Sequence, residues 1–94
     1  MVAVAPPAFQ IETARRDATF SLVGLEPQAA NPDQVTDAVS KVLGQIGVPS
    51  CDLVAPLRTA HRDGEQVYLA YDGHWSPAGH KVVAKTISQC LNAQ

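Results

Sequence analysis

Hydrophobic and polar positions change spacing along the chain, and each change predicts an element. Val2-Ala3-Val4-Ala5 is a short apolar run ended by Pro6-Pro7. It reads as a strand buried on both faces, as in a parallel sheet. Over residues 8–30 the apolar positions Phe9, Ile11, Phe20, Leu22, Val23 and Leu25 fall irregularly, with Gly24 and Pro27 as breakers. That stretch is expected to be a connection with one short extended piece. Asn31-Pro32-Asp33 then supplies a cap, a proline suited to the first helical position and an acid for the positive end of the dipole. Val35, Ala38, Val39, Val42, Leu43 and Ile46 follow at helical spacing, and Gly47 and Pro49 stop the run. The pattern predicts an amphipathic helix whose stripe faces a core. A short helix is expected over 52–60 with Leu53, Val54 and Leu57 inward, then a polar loop over 61–65 and a β-prone piece over 67–71. Ser76-Pro77 opens a final helix to about residue 91, with Val83, Ala84, Ile87, Cys90 and Leu91 as its stripe. Strand, connection, helix, short elements and helix make the cadence of an α/β layer fold.

Composition narrows this without redirecting it. The 94 residues are 46% hydrophobic and 17% charged, enough apolar material for one domain spanning 1–94 and too little length for two. A domain of this size buries only about 60–65% of the surface its unfolded chain exposes. Seven basic residues against nine acidic ones give a formal charge of −2. The basic residues are scattered apart from Arg15-Arg16, which reads as a solvated surface pair. This pattern offers no footprint for nucleic acid or an anionic membrane. The longest apolar run, Met1 to Phe9, is too short to span a membrane and lacks the basic start of a signal peptide. Cys51 and Cys90 have neither redox-pair nor zinc spacing. They read either as one disulfide or as two small buried side chains.

Candidate chemistry concentrates in residues 71–80, Tyr-Asp-Gly-His-Trp-Ser-Pro-Ala-Gly-His, where a β-prone piece hands over to a helix. A carboxylate two residues before an imidazole, with glycine between, allows a tight turn. In it Asp72 accepts a proton from one ring nitrogen of His74 and leaves the other free as a general base. Such a base needs a serine or cysteine nucleophile. Ser76, a serine before proline at a helix start, reads as a cap and not as that nucleophile. Trp75 reads as a packing anchor beside the site, with substrate contact as the alternative. His80 is expected to pack or hydrogen-bond locally. His61, Asp72, His74 and His80 match no strong metal spacing, so neither metal nor cofactor is expected.

Tyr71 to Ala84, with its Asp-Gly-His-Trp and the following Gly79-His80 and Val83-Ala84, resembles the last block of SGNH (GDSL-type) hydrolases. The common spacing there is Asp-x-x-His. The Asp-x-His-Trp of this chain is similar to variants in alginate acetyltransferase-like and related SGNH proteins. Cys51 to Arg58 resembles the Asp-Leu-containing segment that precedes that block. The resemblance implies part of a three-layer α/β/α sandwich with a parallel sheet. It also implies ester hydrolysis or acyl transfer on small esters or acylated sugars, with Asp72 and His74 as two members of a triad. The family's Gly-Asp-Ser nucleophile block is absent, as are the glycine and asparagine blocks of the oxyanion hole. The chain is therefore expected to be the C-terminal portion of such a domain and inactive alone. Its nucleophile would come from the rest of the domain, in the same parent chain or a separate one. The competing expectation is a small non-catalytic binding or assembly module that keeps the motif as scaffold. A secreted or periplasmic home fits the resemblance.

Overall fold

The Val-Ala alternation at the start of the chain forms β1, Val2–Ala3, which pairs in parallel with β2, Ser50–Cys51, in the register Val2 to Ser50 and Ala3 to Cys51. This is a computed structural model, and it describes residues 1–26 and 31–93. The strand is shorter and more exposed than its sequence suggests. Val2 is exposed and Ala3 half-buried, because among the described residues the sheet has two strands and β1 has β2 as its one neighbour. Among the described residues there are five helices. They are α1 (Ala8–Ile11), α2 (Thr13–Leu22), α3 (Gln34–Gln45), α4 (Val54–Arg62) and α5 (Pro77–Asn92). The result is α/β, helices around a small parallel sheet.

The expected connection over 8–30 is corrected: its described part carries α1 and α2, while residues 27–30 lie outside the described residues. Ala14-Arg15-Arg16-Asp17-Ala18 contains good helix formers without an apolar rhythm. α2 buries one residue, Phe20. His61 and Arg62 likewise belong to the last turn of α4 and not to a loop. Gly64 lies just beyond that helix at φ 95°, a conformation that only glycine adopts cheaply.

The core gathers Ala8 and Ile11 of α1, Cys51 of β2, Leu53 and Leu57 at the start of α4, Val67 and Tyr68 from the segment between α4 and α5, and Val83 of α5. Leu57, Val67 and Tyr68 are fully buried, and the Tyr68 hydroxyl donates to the Pro6 carbonyl at 2.6 Å. Burial pushes the Tyr68 phenol above its ordinary value of 10.0. Cys51 and Cys90 are joined by a disulfide that ties β2 to α5 across 39 residues. A loop of that length contributes about 4 kcal/mol in the chain-entropy account.

α3 departs from its expected role. Its stripe predicts a core face, yet no α3 residue is buried, and Val35, Val42 and Ile46 are 70%, 53% and 65% exposed. Polar contacts hold its N-terminal end instead. The buried Gln10 amide donates to Asp33 Oδ1 at 3.1 Å and to Thr36 Oγ1 at 2.8 Å. Arg58 Nη1 donates to Asp33 Oδ2 at 2.9 Å, and Nη2 bonds Asp33 Oδ1 and the Gln10 carbonyl. The Arg58 guanidinium holds the Asp33 carboxyl below its ordinary 3.8.

Candidate functional site

The segment between α4 and α5 is pinned at both ends and free in the middle. Val67 and Tyr68 are sunk in the core, and Tyr68 forms an antiparallel bridge with Trp75. Two main-chain bonds close it: the Leu69 amide to the His74 carbonyl at 2.9 Å and the Ser76 amide to the Val67 carbonyl at 3.0 Å. Ser76 then starts α5. Its Oγ accepts from the Gly79 amide at 3.1 Å and donates to the Gln66 carbonyl, while Pro77 takes the first helical position. With its hydroxyl occupied on both sides, Ser76 is a cap, as its place before proline suggests. Gly79 is needed for a different reason. A Cβ there would stand 2.0 Å from the Val67 carbonyl oxygen, so only glycine lets α5 approach the bridge.

Between these anchors lies the turn at Asp72-Gly73-His74. Asp72 Oδ1 accepts the His74 amide at 2.8 Å and lies 3.2 Å from His74 Nδ1. The side chain bonding its own backbone two residues on is the usual device of an aspartate turn. The bond from the His74 amide holds the Asp72 carboxyl below its ordinary 3.8, against an opposing effect of desolvation, and the ring's own bond adds to it. A charged carboxylate facing Nδ1 favours the tautomer protonated there, leaving Nε2 as the acceptor. The pair is open to solvent, with the His74 side chain 85% and the Asp72 side chain 52% exposed. Among the described residues, Asp72 is the hydrogen-bond partner of the His74 ring.

Trp75 is half-buried against the core, and its ring meets His80 edge to face at 5.6 Å. The local packing expected of both residues is what they show. Among the described residues, no three His, Cys, Asp or Glu side chains are placed to hold a metal ion. No helix among them is long and apolar enough to cross a membrane.

Arg15 is the site residue that the sequence does not reveal. Expected in solvent, it reaches from α2 to this turn, donating from Nη1 to the Asp72 carbonyl at 2.9 Å and from Nη2 to the Leu69 carbonyl. Its Nε pairs with Glu12 at 2.9 Å. The Glu12–Arg15 spacing of three, with Glu12 at the N-cap of α2 and Arg15 in its first turn, is the local signal.

The family described as SGNH hydrolase-like domain, acetyltransferase AlgX, matches residues 10–94. Among curated proteins, the chain is 34% identical over 68 residues to a probable alginate O-acetylase AlgJ of Azotobacter vinelandii, covering 72% of this chain and 17% of that protein. It is 32% identical over 72 residues to the Pseudomonas putida protein of the same description, covering 77% and 18%. The Pseudomonas fluorescens counterpart is 40% identical over 40 residues, covering 43% and 10%. The chain thus spans less than a fifth of the length of these relatives. No solved structure matches it.

Proposed function

This chain belongs to the family of the SGNH hydrolase-like domain, acetyltransferase AlgX, and on that premise we propose that it supplies the Asp72–His74 part of a serine acyl-transfer or ester-hydrolysis centre. The observation that carries the reading is the contact of Asp72 Oδ1 with both the amide and Nδ1 of His74. It orients the ring and leaves Nε2 unencumbered. Nε2 takes the proton of a serine hydroxyl as that oxygen attacks the acyl carbonyl. It then returns the proton to the departing alkoxide, and Asp72 stabilises the imidazolium between the two steps. Ser76 is committed to its cap and Gly-Asp-Ser is absent. The nucleophile and oxyanion donors are therefore assigned to residues outside this chain, in the same polypeptide or a separate one. Trp75 is assigned to one flank of the substrate.

Relatives described as alginate O-acetylases support an acylated sugar as substrate. The disulfide supports an oxidising home, secreted or periplasmic. The exposure of His74 favours a second reading, a binding module that keeps the turn as scaffold. One experiment separates them: His74→Ala in the full-length protein, assayed by release of acetate from an acetylated sugar. Loss of at least about a hundredfold in kcat with an unchanged melting temperature is expected for a general base. Undiminished turnover overturns the catalytic reading.

A further inference from the structure

The turn carrying Asp72 and His74 has no apolar anchor of its own. Every residue from Leu69 to His74 is exposed, so hydrogen bonds set its shape. Its internal bonds are the Leu69 amide to the His74 carbonyl and the contacts of the Asp72 carboxylate with His74. The tie from another element is Arg15, more than fifty residues earlier in the chain. Each of its three nitrogens has a partner. Nε pairs with Glu12, Nη1 with the Asp72 carbonyl and Nη2 with the Leu69 carbonyl. The two carbonyls stand three residues apart, one at the start of the turn and one in its middle. A planar guanidinium spans them in a fixed orientation that a lysine ammonium, a single point donor, does not reproduce. Arg15 binds the peptide carbonyl of Asp72 and leaves the carboxylate free for His74. Its action is on the shape of the turn more than on the charge of the pair.

We propose that Arg15, braced by Glu12, is a positioning residue that holds the 69–74 turn in the conformation where Asp72 meets His74. Its consequence for catalysis rests on the proposed function above, but its action on the turn does not. The test is amide hydrogen exchange by NMR on the 94-residue chain and on Arg15→Gln, Arg15→Lys and Arg16→Gln. Arg16 is the control, since its side-chain partner is the adjacent Asp17. In Arg15→Gln the His74 amide, which donates to Asp72, should exchange at least about tenfold faster while Val83 in α5 keeps its rate. Arg15→Lys should fall between that variant and the parent, and Arg16→Gln should match the parent.

An unchanged His74 rate in Arg15→Gln overturns the proposal. So does an equal acceleration at Val83, which signals general loss of stability, or an equal acceleration in Arg16→Gln, which signals charge alone. In the full-length protein, Arg15→Gln should lower kcat with little change in KM. Should His74→Ala remain active there while Arg15→Gln still releases the turn in the isolated chain, the catalytic reading fails and the positioning role stands.

Discussion

α3 and α5 both carry apolar stripes read as core faces, and they are held in opposite ways. α5 buries Val83, lays Val82 and Ile87 on the core, and is joined to β2 by the Cys51–Cys90 disulfide. A serine cap and a proline set its start. α3 has no fully buried residue: Val39 and Leu43 are half-buried, the rest of its stripe is open, and Gln10 and Arg58 grasp Asp33 at one end. A stripe therefore identifies a face suited to burial without showing that the same chain covers it. The candidate site sits on the α5 side, where the scaffold is rigid, and its exposed turn is clasped from α2.

The largest test of the rigid side is Gly79→Ala. In an open helix this change gains up to about 1 kcal/mol of propensity. Here the new methyl collides with the Val67 carbonyl, which is main chain and itself accepts the Ser76 amide. Displacing that strand segment costs about 3 kcal/mol, so a net loss of about 2 kcal/mol is expected in urea unfolding. Stability equal to or above the parent would show that α5 is not tightly seated on the bridge.

Local chemistry explains which elements the sequence discloses. The Ser76-Pro77 start and the stripe after it announce α5, and Leu53 and Leu57 announce the buried side of α4. The Asp-Gly-His spacing announces the turn, because its defining bonds run between residues two apart. α2 is hidden because its helix comes from propensity and from packing on α1, with one buried side chain and no periodic stripe. Arg15 is hidden because its partners are main-chain carbonyls in a distant loop, which no residue spacing encodes. The disulfide stood between two readings because proximity across 39 residues depends on the fold.

The polar grip on α3 gives a pH-dependent effect of intermediate size. The folded-state pKa of Asp33 is held below 3.8 by Arg58. A depressed carboxyl stabilises the fold above its unfolded value, and that contribution is lost as pH falls through the folded one. Arg58→Met should therefore cost about 1 kcal/mol at pH 7, a modest figure because both side chains are about a third exposed. The gap between variant and parent should shrink below about pH 4, as Asp33 protonates in the parent. A gap that persists unchanged at pH 2 would mean that the Arg58 stem, and not its charge, holds α3. Asp72 is also depressed and adds to acid sensitivity in both proteins alike, so it cancels in the difference.

The smallest effect is the most direct probe of the bare face. Val42 lies in the middle of the α3 stripe and is 53% exposed. Valine and serine have similar helix propensities, so Val42→Ser changes little besides apolar surface. If that surface is wet in the folded chain, the change should shift stability by less than about 0.5 kcal/mol. Val83→Ser, on the buried side of α5, should by comparison cost several times as much through lost burial and a stranded hydroxyl. Equal costs for the two would mean that α3 is covered in solution, by a second copy or by a rearranged segment. The contrast between the helices would then describe an isolated molecule that does not persist. Repeating the Val42→Ser measurement across protein concentrations separates these outcomes, since a face covered by another copy makes the cost concentration-dependent and an intramolecular cover does not.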